Sequence, residues 1–184
     1  MVDVQSAQDE RKVAIDRVGV KEVVYPIRLR EPGGGEQTTV ANINMYVSLP
    51  HYKKGTHMSR FLEVLNDHTS EPLTPDRIPA LTRAIRERLD AEEAHFEARF
   101  TYFIRKLAPV TRQSGLMDYR VTFECNANHT DDFVMGVAAP ATSLCPCSKE
   151  ISEYGAHNQR SHVTITARLK DFVWIEDLID IVEQ

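Results

Sequence analysis

Val23-Val24-Tyr25-Pro26-Ile27-Arg28-Leu29, Pro32-Gly33-Gly34-Gly35-Glu36 and Val40-Ala41-Asn42-Ile43-Asn44-Met45-Tyr46-Val47-Ser48-Leu49 are the consecutive runs from which the fold reads. In the first run Val23, Tyr25, Ile27 and Leu29 alternate with more polar neighbours. In the last, Ala41, Ile43, Met45, Val47 and Leu49 do the same. A period of two over this length marks half-buried strands. The glycine run between them predicts a hairpin whose turn is longer than the tight two-residue type. Those glycines lack the Lys-Ser/Thr and the helix start of a phosphate loop, so they read as a turn.

Outward from the hairpin, residues 1–16 are polar and without period, which predicts a loose N-terminal arm. Thr56 is the N-cap candidate for a helix through about Asn66, and His68–Pro75 is rich in breakers. Ile78, Leu81, Ile85 and Leu89 keep helical spacing over 76–91, with Pro79 tolerated in the first turn. Phe96, Ala98, Phe100, Tyr102 and Ile104 alternate as a strand. Residues 109–116 turn the chain back, and Tyr119 to Cys125 forms the partner strand. After a turn over 126–132, Phe133, Met135 and Val137 continue in extended form. Val163, Ile165, Ala167 and Leu169 predict another strand, and residues 172–182 a closing helix. Hairpins bracketing a helix pair give an α+β class with an antiparallel sheet and helices on one face.

With 184 residues, 42% hydrophobic and 27% charged, the chain has the balance of a soluble globular protein. A net charge of −5 argues against a general nucleic-acid binder. An anionic substrate would need a local basic pocket. No apolar run approaches the ~18 residues of a membrane span, and Met1–Arg11 is no signal peptide, so a cytoplasmic protein is expected. Three cysteines fit a reducing compartment better than a disulfide framework. Cys125, on the alternating apolar face, reads as a buried structural thiol.

Chemistry concentrates in residues 143–162, SLCPCSKEISEYGAHNQRSH. Cys145 and Cys147 flank a proline, and His157 and His162 follow. Thiolate and imidazole hold zinc-like metals, and a site short of protein ligands leaves room for a reactive water. An unliganded Cys145 could instead be a nucleophile. Cys147 either faces the site or packs. His162 reads as a surface or barrel-lining histidine rather than a ligand, and Glu150 and Glu153 as a solvated face. Gly55-Thr56-His57-Met58-Ser59-Arg60-Phe61 sets His57 and Arg60 on the first turn of a helix. Free amides and the positive end of the helix dipole there suit an anion. Arg60 could clamp oxygens bidentately, and His57 could donate to phosphate or shuttle a proton. Lys149 and Arg160 are further phosphate candidates.

These two motifs, in this order, resemble the type IB GTP cyclohydrolases, from about Val18 to the end of the chain. The resemblance implies a tunnelling fold, in which subunits join their sheets into barrels and two such units stand in tandem. Residues 17–142 would then complete the first unit, with 143–184 carrying the metal motif and opening the second. It implies that Cys145 and His157 hold manganese or zinc, with iron a further candidate, and that water adds at C8 of GTP. The imidazole ring opens, formate leaves and reclosure gives 7,8-dihydroneopterin triphosphate, the entry to folate synthesis. A homotetramer with sites at subunit junctions is implied as well. The family pattern continues past Gln184 with a metal-ligating glutamate, then a glutamate and a histidine that engage the pterin ring. The 184 residues alone are therefore expected not to catalyse. Two other readings stay open: a nitrile reductase-like enzyme using a cysteine covalently and requiring NADPH, and a non-catalytic metal-binding or assembly module.

Overall fold

A computed structural model describes residues 13–108, 110–144 and 158–183. Strands β1 (Ile15–Arg30) and β2 (Glu36–Leu49) form the first hairpin, followed by helices α1 (Met58–Thr69) and α2 (Arg77–Arg88). Next come β3 (Ala94–Leu107), β4 (Ser114–Ala127), β5 (Asp131–Leu144), β6 (Asn158–Arg168) and helix α3 (Ile175–Glu183). All six strands form one antiparallel sheet in sequence order. The class is α+β, as the alternation predicts.

One face of the sheet and the three helices enclose a single core. Ala41, Ile43, Met45, Val47 and Leu49 are all buried, as are Ile78, Leu81, Ile85 and Leu89 of the α2 region. Phe123 sits at the centre, with the Phe100 and Phe133 rings edge-on at 5.0 and 5.7 Å. Edge-to-face pairs of this kind contribute about 0.5–1.5 kcal/mol beyond the area they bury. Cys125 is buried here too, and burial pushes its thiol up to about 11. That makes it a packing residue. Val163 continues the apolar alternation of β6 but remains 42% exposed. It lies on the outermost strand, opposite Ala139, beyond the part of β5 that pairs with β4.

Several element boundaries differ from those the sequence predicts. Strand β1 begins at Ile15, inside the stretch assigned to the arm, whose residues up to 12 lie outside the described residues. Register shifts between Ile15 and Val18, and between Val20 and Val23, break the alternation that would have revealed it. At the second shift Glu22 adopts φ 58°, and its N–H donates to Asn44 Oδ1 at 2.8 Å. Gly19 lies so close to β2 that a Cβ there would fall 2.0 Å from the Met45 carbonyl oxygen. The α1 helix is capped by His57, not Thr56, in an extended conformation (φ −83°, ψ 106°) without a side-chain cap bond, and it runs to Thr69. Helix α2 stops at Arg88 rather than 91, because Asp90 turns left-handed. Helix α3 starts at Ile175, after the edge-on Phe172–Trp174 pair. The glycine turn forms as expected, with Gly34 at φ 83° and its N–H donating to the Glu31 carbonyl at 3.0 Å.

Candidate active site

His57 and Arg60 come together at one helix start. Arg60 N–H donates to the His57 carbonyl at 3.1 Å, closing the first turn, and both side chains are half-buried. No acidic residue occupies that turn, so nothing within it offsets the positive end of the helix dipole. The arrangement can accept an anion, as the sequence suggests.

The other motif lies across the β5–β6 connection. Cys145, Cys147, Lys149, Glu150, Glu153 and His157 fall outside the described residues. The strands that carry the connection are described. Leu144 and Asn158 are register partners, and Arg160 and His162 pair with Thr142 and Pro140. Arg160 and His162 are exposed and alternate with Val163 and Ile165, which places them on the sheet face away from the helices. The same face holds an open cavity of ≈ 550 Å³ whose lining includes Arg99, Arg120, Thr164 and Thr166. His162 is thus a surface histidine. Among the described residues, no three His, Cys, Asp or Glu side chains are placed to hold a metal.

Among the described residues, the start of α1 and the strand ends that flank the second motif lie toward different ends of the sheet. Strand β2 leaves the sheet at the end where β3 begins, β4 ends and β5 begins. The β5–β6 tip lies at the opposite end. Helix α1 rises from its start toward Thr69, and Tyr25, whose hydroxyl donates to Asn66 Oδ1 at 2.5 Å, fixes the level of its last turns. From Asp131 to Thr142 the strand advances 142 − 131 = 11 residues, about 36 Å at ~3.3 Å per residue. Residue spacing along the chain contains no sign of this separation.

A polar network that sequence reasoning missed holds α3 to the sheet. Tyr102 donates to Glu176 Oε1, and Glu183 accepts from Lys106 and, at 2.5 Å, from Tyr119. Burial, then the Glu176 carboxylate, push the Tyr102 phenol far above its ordinary range. Burial also raises Glu176, outweighing the bond from Tyr102 that lowers it. For Glu183, burial acts upward but the Lys106 and Tyr119 bonds prevail and hold it low. The only signal in the sequence was the pair of tyrosines on strand faces otherwise filled with apolar residues.

The model of the type I GTP cyclohydrolase folE2 family matches residues 1–184. The chain belongs to this family. GTP cyclohydrolase FolE2 of Nitrosococcus oceani is 52% identical over 184 residues, covering 99% of this chain and 68% of that protein. Its counterpart from Methylobacillus flagellatus is 52% identical over 182 residues, covering 98% and 68%. That from Geobacter sulfurreducens is 50% identical over 183 residues, covering 100% and 70%. The resemblance drawn from the two motifs thus extends along the whole chain.

Proposed function

We propose that this GTP cyclohydrolase is a metal-dependent enzyme of type IB that converts GTP and water to 7,8-dihydroneopterin triphosphate and formate, the first step of tetrahydrofolate synthesis. Family membership over residues 1–184 carries the activity and its substrate, GTP. The names of the relatives favour it over the nitrile reductase reading and over a non-catalytic module.

The proposed metal ligands are Cys145 and His157. Each lies one residue beyond the Leu144–Asn158 pair, so both are attached to adjacent strands. A thiolate with a neutral imidazole is an N/S donor set that suits zinc and tolerates manganese or iron. When bound, the metal would supply Lewis-acid polarisation of water for attack at C8. Arg60 would hold the triphosphate through charge-assisted hydrogen bonds, with Lys149 and Arg160 as further cationic contacts. His57 would donate to phosphate or carry a proton.

The start of α1 and the strand ends that flank the second motif lie toward opposite ends of the sheet, which supports a homo-oligomer with sites at subunit junctions. The proposed assembly is a tetramer built as a tunnelling fold, with two units in tandem (17–142, then 143–184). Among the described residues no helix is long and apolar enough to cross a membrane, and a cytoplasmic location is part of the proposal. Mixing Arg60→Ala and Cys145→Ala subunits, at GTP concentrations well below the raised KM of the Arg60 variant, tests the junction. Formate release should partly return on mixing, and failure of exchanged subunits to regain any would remove the shared site.

A further inference from the structure

The segment that delivers His57 and Arg60 to α1 is gripped by the end of α2. Lys53 Nζ donates to the Asp90 carbonyl and, at 2.6 Å, to its carboxylate. Two residues earlier in the chain, Arg88 donates to Glu63 Oε2 at 2.8 Å. Glu63 stands one turn beyond Arg60 on α1, so both flanks of the Gly55–Phe61 motif are tied to the same helix end.

Asp90 occupies an uncommon position. Asp90 N–H donates to Glu87 O at 3.1 Å, and Ala91 N–H to Arg86 O at 3.0 Å. These are the two bonds of the helix-ending motif whose left-handed residue is usually glycine. Asp90 has φ 51°. Glycine would adopt this conformation with no Cβ strain, whereas aspartate carries a carboxylate there at a conformational cost. Hydrogen bonding and charge from Lys53 hold the Asp90 carboxyl below its ordinary range. Lys53 is the seated partner, 21% exposed against 92% for Asp90. Its ammonium must lie over the α2 end to make both bonds.

We infer that Lys53 and Asp90 form a clamp that positions Arg60 and His57 toward a triphosphate. This rests on the reading that Arg60 binds phosphate. Both are positioning residues, acting through the 50–57 segment.

Asp90→Gly separates positioning from folding, because glycine suits φ 51° but removes the carboxylate. Dissociation constants for GTP and guanosine are measured by calorimetry, and Tm by scanning. Asp90→Gly and Lys53→Met should each weaken GTP binding roughly twofold to fivefold, as expected of a partly exposed charged contact. Guanosine binding should stay unchanged, Asp90→Gly should keep the parental Tm, and Lys53→Arg should recover most of the GTP affinity. In an Arg60→Ala background neither substitution should cause further loss, since coupled residues are non-additive. If Arg60→Ala weakens GTP and guanosine equally, the phosphate reading fails. If Arg60→Ala acts on GTP alone while Asp90→Gly binds GTP normally, or weakens it additively, the clamp is overturned and the phosphate reading stands.

Discussion

Leu144 of β5 and Asn158 of β6 are register partners at the tip of their hairpin, directly flanking the segment that holds the cysteine–histidine motif. A ligand pair that follows and precedes two hydrogen-bonded strand ends in the chain has less conformational freedom to lose on binding a metal than one on separate elements. We therefore expect about one divalent transition metal per subunit. Cys145→Ala or His157→Ala should weaken it by at least the ~10–100-fold that removing even an indirect ligand partner produces. Metal analysis by plasma mass spectrometry checks this, and unchanged occupancy in both variants would reject the ligand pair.

Arg60 offers a test that depends on substrate charge. Arg60→Ala should mainly raise the KM for GTP, because the interaction it removes is with phosphate. The effect should shrink for guanosine analogues with fewer phosphates. Steady-state kinetics across GTP, GDP and GMP measures it, and an effect independent of phosphate number would place Arg60 elsewhere.

Opposite pH signatures are expected from the two carboxylates that anchor α3. Glu176 is raised by burial, and its Oε2 is buried without a hydrogen-bond partner among the described residues. Asp177, Glu31 and Tyr102 are its electrostatic neighbours. A raised carboxyl favours the folded state below its unfolded pKa and loses that contribution as pH rises through the folded value. Glu176→Gln should therefore raise Tm at pH 7 more than at pH 4, by about 2–4 °C for each kcal/mol relieved. Glu183 is lowered by Lys106 and Tyr119, so its contribution is present at neutral pH and lost as pH falls. Glu183→Gln should cost stability at pH 7 and little at pH 3. Thermal melts across this range would contradict both assignments if the two variants shifted in parallel.

Phe123 packs against two other rings in the centre of the sheet. Phe123→Ala should cost about 3–5 kcal/mol through lost transfer energy and the cavity left behind. Urea titration should show a lower midpoint at nearly constant slope. A loss under ~1 kcal/mol would mean that the core relaxes around the site.

The strands β2, β3 and β4 were legible because one face is buried from Ala41 to Leu49, from Ala94 to Tyr102 and from Tyr119 to Ala127, so Ile43, Phe96 and Val121 keep a strict period. The start of β1 was hidden because its register shifts move Val18 and Val20 out of phase with Ile15 and Val23. At α1 the preference for a threonine cap named Thr56, but the helix begins one residue later with no side-chain bond at its cap. The end of α2 was missed because an aspartate fills a glycine position. The His57–Arg60 pair was legible as a helix start. Its distance from the β5–β6 tip was not, since that depends on strand direction within the assembled sheet. Tyr102 and Glu176 are 74 residues apart and meet only through packing of α3.

The central claim is tested most directly by formate release from GTP, measured on a chain that continues past Gln184 with the remaining ligands of the family pattern, stripped of metal and then reloaded with manganese or zinc. Release should disappear on stripping, return on reloading, and stay absent in Cys145→Ala and His157→Ala at the same metal concentration. Release that persists without metal, or that survives both substitutions, would contradict a metal-dependent cyclohydrolase built on Cys145 and His157.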